Sequence, residues 1–269
     1  MLKILVFILF TIPLISQQSD KVYHINKFKS GVIIVGGAIT NGLGRSLVLQ
    51  QKDKIPLSIL NDLSREDVWS FDRIGLDQNI ENRHDWESIS DLTFTGSNII
   101  PFLLLLDKDI LSDWLDFIFL YLETQVISSN AFTNNPLGPI LIDKFRPRTY
   151  YTDLPIGERD GGNNKNSFFS GHASITASAT FFMVKVYADY HPNMKGKFWL
   201  YAAAAVPPAF VGLARVKSLF HFPSDVIVGT IIGAAVGILN PQLHKRNSNV
   251  NLSLIQQNNI TGVGLQFQF

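Results

Sequence analysis

The chain of 269 residues contains no cysteine, which excludes disulfides, thiolate metal sites and cysteine nucleophiles. Charge is scarce as well. Only 17% of residues are Asp, Glu, Lys or Arg, and 23 cations against 22 acids leave a formal net charge of +1. With no basic run and no aromatic-basic stripe, nucleic acid is not expected as a partner. Six histidines are present, but no acidic or histidine cluster has metal-ligand spacing, so no metal or other cofactor is expected. Apolar residues are plentiful at 46%, yet no run is a clear span of about twenty. Buried helices of a soluble bundle and short, tilted membrane helices both stay open.

The chain begins Met1-Leu2-Lys3, continues through the apolar run Ile4 to Ile15 with Pro13 inside it, and turns polar at Ser16. One cation, about a dozen apolar residues and a small residue before a polar stretch predict a signal peptide over 1–17, with an uncleaved anchor as the rival. Export is therefore expected, to the periplasmic side, as a membrane-associated or integral protein. Residues 18–94 read as N-terminal helices and polar loops: a Gly-rich apolar segment from Gly31, then loops and short helices over 52–91. There Asp72 and Arg73 are expected to pair with each other. Residues 95–245 read as a helical core. Ile99 to Ser129 carries Asp107, Asp109, Asp113, Asp116 and Glu123, too acidic for one span, and divides into two helices.

Further helices are expected from about Ser170 to Tyr190, from Phe198 to Ala214 with Pro207-Pro208 kinking or dividing it, and from Asp225 to Leu239. The last carries Gly229, Gly233 and Gly237 at intervals of four, a smooth stripe for close helix contact. Over 246–269 apolar and polar residues alternate on either side of Asn258-Asn259, which predicts a β-hairpin. The fold expected is all-α: about five or six apolar helices in a bundle, with a short C-terminal β-hairpin.

Three stretches carry chemistry. In Arg215-x5-His221-x3-Asp225, a planar cation, an imidazole and a carboxylate stand between apolar segments. Asp225, in the first turn of a helix starting near Pro223, is expected to reach back and orient His221. In Phe169-Ser170-Gly171-His172, Ser170 is a helix N-cap, and the helix start offers N–H groups to an anion. Arg146-Pro147-Arg148 adds two cations. Taken singly these are a loop, a capped helix and a charged helix end. Together they supply a nucleophile, a proton donor and an oxyanion clamp, the parts for phosphoryl transfer through a phosphohistidine.

These motifs, in this order and over about residues 95–240, resemble the three signatures of the type 2 phosphatidic acid phosphatase/vanadium haloperoxidase superfamily. The resemblance implies that His221 attacks phosphorus, Asp225 holds its ring, and His172 protonates the leaving oxygen and then activates water. Arg215, Arg148 or Arg146, the Ser170 hydroxyl and the Gly171 N–H would bind the phosphoryl oxygens. The family's lysine seven residues before the first-motif arginine is replaced by Pro139 or Leu141, depending on the register, and Lys144 or Lys165 is the candidate substitute. Phe169 and Ala214 stand where the family has proline and serine. The function implied is a metal-independent phosphatase acting on a phosphomonoester or diphosphate of a small molecule or lipid, with a membrane as expected partner. The alternatives are a soluble nonspecific acid phosphatase, a vanadate-dependent haloperoxidase, or a degenerate non-catalytic lipid-binding protein.

Overall fold

A computed structural model describes residues 21–50, 53–134, 138, 140, 143–246, 250–257 and 260–267. The expected signal peptide lies outside the described residues. Ten α-helices appear among them: α1 (Lys27–Gln50), α2 (Leu57–Asp62), α3 (Arg83–Ile99), α4 (Lys108–Ser112), α5 (Trp114–Thr133), α6 (Ile156–Arg159), α7 (Gly171–Tyr190), α8 (Lys197–Ala204), α9 (Val206–Lys217) and α10 (Pro223–His244). The body is thus helical, as expected. In the tail, β1 (Val250–Gln257) is laid antiparallel to β2 (Ile260–Phe267), with Val250 opposite Phe267.

At the centre α7 and α10 lie side by side with the same polarity. A Cβ built on Gly229 would stand 2.5 Å from the Ser170 carbonyl oxygen, on Gly233 1.9 Å from that of Ser174, and on Gly237 2.5 Å from that of Ser178. The glycine stripe is therefore the seam that brings the two helices' first turns together. Phe117, Leu120 and Tyr121 of α5 pack on Ala179, Phe182 and Val186 of α7, with Tyr121 and Phe182 ring centroids 5.0 Å apart. Pro207 and Pro208 do divide their segment, since α8 ends at Ala204 and α9 begins at Val206.

Two expectations need correction. Residues 83–91, expected among loops and short helices, are the first half of the 17-residue α3, hidden by its polar sequence. Asp72 does not pair with Arg73. It is buried and accepts from the Ser224 N–H at 2.9 Å and the Ser224 hydroxyl at 2.6 Å, capping α10 from 152 residues away. Arg73 donates instead to the carbonyls of Val68 and Glu66.

Among the described residues, four helical stretches are long and apolar enough to cross a membrane: Lys27–Val48, Arg83–Leu106, Lys197–Lys217 and Pro223–His244. Their apolar side chains face outward. Val35 is 60% exposed, Leu92 76%, Leu106 82% and Trp199 72%, while Gly37 of α1 packs inward on Val126. An apolar exterior over small residues inside is the arrangement of a protein set among lipid tails, so the chain is membrane-associated.

Candidate active site

All three chemical stretches meet at the first turns of α7 and α10. The Ser170 N–H donates to the Asp225 carbonyl at 3.0 Å, joining the second stretch to the third. Arg148 donates through its N–H to the Leu219 carbonyl and through Nη2 to that of Ser218, joining the first to the third. Residues 144–146 run beside 164–167, with Arg146 N–H to the Asn164 carbonyl at 2.8 Å and Ser167 N–H to the Lys144 carbonyl at 2.9 Å. Leu219 takes a φ of 63° to turn the chain between α9 and His221.

His221 is 3% exposed, and its Nδ1 lies 2.7 Å from the Ser167 carbonyl oxygen. A carbonyl can only accept, so Nδ1 carries the proton and Nε2 keeps its lone pair. Burial first, then Arg146 and Arg215, hold this histidine well below its ordinary value, which favours the neutral ring.

Asp225 does not touch the ring, contrary to expectation. Its Oδ2 accepts from the Ser167 hydroxyl at 2.6 Å and the Phe222 N–H at 2.9 Å, and its Oδ1 from Lys144 Nζ at 2.6 Å. A carboxylate in a helix's first turn is drawn to the N–H groups ahead of that helix. Asp225 therefore fixes the backbone on both sides of His221, and Ser167 passes that constraint to the imidazole. Ser167 was missed because its part is played by a backbone carbonyl.

Lys144 is also placed differently from expectation. Its ammonium is engaged by Asp225, by Asp72 at 3.2 Å and by the Ser224 hydroxyl at 3.2 Å. Two carboxylates neutralise it, so it braces the start of α10.

Three arginines gather on a residue that no motif pointed to. The Phe220 ring has the guanidinium of Arg148 at 3.7 Å, that of Arg215 at 3.9 Å and that of Arg146 at 5.0 Å from its centroid. Three like charges share one aromatic platform. The Nε atoms of all three are buried without a hydrogen-bond partner among the described residues. Burial, followed by the Arg148 and Arg215 charges, pushes Arg146 down to about 9. A cluster of cations with idle donors calls for an anion of several oxygens.

Ser170 caps α7, its hydroxyl accepting from the Ala173 N–H at 3.4 Å. The N–H groups of Gly171 and His172 have no partner among the described residues. A Cβ on Gly171 would come within 3.3 Å of the Phe132 ring, which explains the glycine. The His172 ring lies tilted against Phe94, centroids 4.6 Å apart, and burial followed by Arg215 pushes it down to about 3. Asp91 of α3, unforeseen from sequence, stands 3.2 Å from both His172 Nε2 and Arg215 Nη1.

The family model of the PAP2 superfamily matches residues 117–249, from within α5 past the end of α10. No curated protein and no solved structure matches the chain. The three signatures, gathered at one pair of helix starts, all lie inside that stretch, so residues 117–249 are a region matched to the PAP2 superfamily.

Proposed function

We propose that this protein is a phosphatase that hydrolyses a phosphomonoester or diphosphate at a membrane, through a phosphohistidine and without a metal. The observation that carries the reading is the trio Arg146, Arg148 and Arg215 around Phe220, with buried idle donors beside a neutral His221. Three guanidinium groups supply the positive charge that a metaphosphate-like transition state needs.

In the first step His221 Nε2 forms a bond to phosphorus as the bond to the leaving oxygen breaks, and His172 gives that oxygen a proton. In the second, His172 takes a proton from water. The water oxygen bonds to phosphorus, the N–P bond breaks, and inorganic phosphate leaves with His221 restored. Arg146, Arg148, Arg215 and the N–H groups of Gly171 and His172 hold the phosphoryl oxygens throughout, and the Ser170 hydroxyl is available beside them. Export, with the site on the periplasmic side, is part of the proposal and rests on the sequence of residues 1–17.

The test is trapping with a labelled phosphate ester. Wild type should yield an acid-labile, base-stable phosphoprotein that survives chelators and is suppressed by vanadate, and His221→Ala should yield none. An adduct in His221→Ala, or turnover lost to chelators, would refute the reading.

A further inference from the structure

Asp91 lies ahead of the stretch matched to the superfamily, on a helix that contributes no group to the proposed phosphoryl transfer. One of its oxygens bridges the proton donor and the clamp, 3.2 Å from His172 Nε2 and 3.2 Å from Arg215 Nη1. Phe94, three residues further along α3, sets its ring tilted beside the same imidazole with centroids 4.6 Å apart, so α3 touches His172 through a charge and through an aromatic ring. The charged groups that push His172 down are cations: Arg215 from α9, Arg146 from the loop before α6, and Arg45 from α1. Glu87, one turn before Asp91, acts on the arginines. Among the described residues Asp91 is the carboxylate within ion-pair distance of His172.

That arrangement meets a need. Burial among arginines disfavours the imidazolium, yet the first chemical step requires a proton on this ring. An arriving phosphate brings one anion to the site; the chain supplies the other. We propose that Asp91 is a positioning residue for proton transfer, holding His172 in its protonated form while the substrate is bound and tying it to Arg215. The proposal rests on the phosphatase reading, in which His172 is the acid.

Asp91→Asn and Asp91→Glu, made in the full chain in detergent, test it with two esters, an aryl phosphate whose leaving group needs no proton and an alkyl phosphate whose leaving group does. In Asp91→Asn, kcat on the alkyl ester should fall by about 30-fold and on the aryl ester by less than about threefold, within the range of lost orienting carboxylates. KM should hardly change, the alkaline limb of kcat should move about one pH unit lower, and Asp91→Glu should recover part of the loss. The His172 ring proton, assigned with His172→Asn and titrated by NMR with and without vanadate, should lose its proton at lower pH in Asp91→Asn. An unchanged leaving-group dependence with an unchanged titration would overturn the proposal. So would a lower KM at constant kcat, which would make Asp91 a competitor of phosphate. If wild type hydrolyses neither ester the phosphatase reading fails, while the titration still decides whether Asp91 governs His172.

Discussion

Replacing Phe220 by leucine tests the clamp most directly, because it removes the platform and leaves every charged group in place. Each guanidinium over an aromatic face contributes about 0.5–1 kcal/mol in water and about 2 when desolvated. Arg148 and Arg215 stand at 3.7 and 3.9 Å, Arg146 at 5.0 Å, and Arg146 and Arg215 are buried. Two contacts of about 1 kcal/mol and a weaker third give about 2–3 kcal/mol for holding three like charges ready. Without the ring the arginines separate, and an incoming anion must reassemble them. At 1.4 kcal/mol per factor of ten, vanadate or phosphate should bind about 30- to 150-fold more weakly. The assay is inhibition of ester hydrolysis by vanadate, beside a thermal melt in detergent to confirm folding. Phe220→Tyr and Phe220→Trp keep a π-face and should stay within about threefold of wild type. A folded leucine variant that binds vanadate as tightly as wild type would refute the argument, since nothing else about the cluster has changed.

The geometry dictates three more outcomes. Gly233→Ala drives a methyl to 1.9 Å from the Ser174 carbonyl oxygen, which as helix backbone cannot retreat, so α10 must shift by about 1 Å. Stability should drop by about 1–3 kcal/mol and activity by about 100-fold, whereas Gly36→Ala, with nothing within 4 Å, should be neutral in melts and turnover. Lys144→Met leaves Asp72 and Asp225 without their shared cation, so melting should fall by the equivalent of about 2–3 kcal/mol with KM little changed; a large rise in KM alone would restore the lysine to the phosphate site. His221, folded, has its pKa below the unfolded value near 6.5, so the unfolded chain binds more protons as pH falls through that value. Stability should therefore decline below about pH 6.5, by up to about 1.4 kcal/mol per pH unit. Melting temperatures from pH 7 to 5 check the sign, and His221→Asn should flatten the slope.

What the sequence disclosed was local. The α7 start is written in Ser170-Gly171, and the α10 seam in glycines four apart, because caps and small-residue stripes act over one or two turns. What it concealed was either distant or inverted. Asp72 serves Ser224 across 152 residues, and no spacing announces that. The i to i+4 spacing of His221 and Asp225 suggested a direct contact, but the carboxylate found nearer donors in Phe222 and Ser167. In α1 and α3 the usual rule runs backwards, with Val35, Ile39 and Leu92 outside and Gly37 or Ser90 inside. A periodicity search that assumes an apolar core therefore loses the polar start of α3, and Asp91 with it.

The two ends of the bundle bear on the substrate. At the first turn of α7 lies the arginine cluster. At its last turns Lys185 pairs with Asp189, which also accepts from Lys245 at 2.7 Å and Tyr23 at 2.7 Å. α10 likewise ends at His244, held to Glu123 at 2.9 Å. From Gly171 to Asp189 α7 rises about 27 Å between these polar layers, close to the thickness of a bilayer's hydrocarbon core, and the outward Val, Leu, Ile, Phe and Trp side chains lie on helices that run between them. In the proposed function the phosphate pocket then lies at a membrane boundary, where a headgroup can reach the arginines while its chains stay among the exposed helices. Hydrolysis should accordingly favour phosphates on long alkyl chains in mixed micelles, with KM falling as the chain lengthens and rising as detergent dilutes the surface. A hexose phosphate turned over equally well without micelles would detach the chemistry from the membrane and favour the nonspecific acid phosphatase instead.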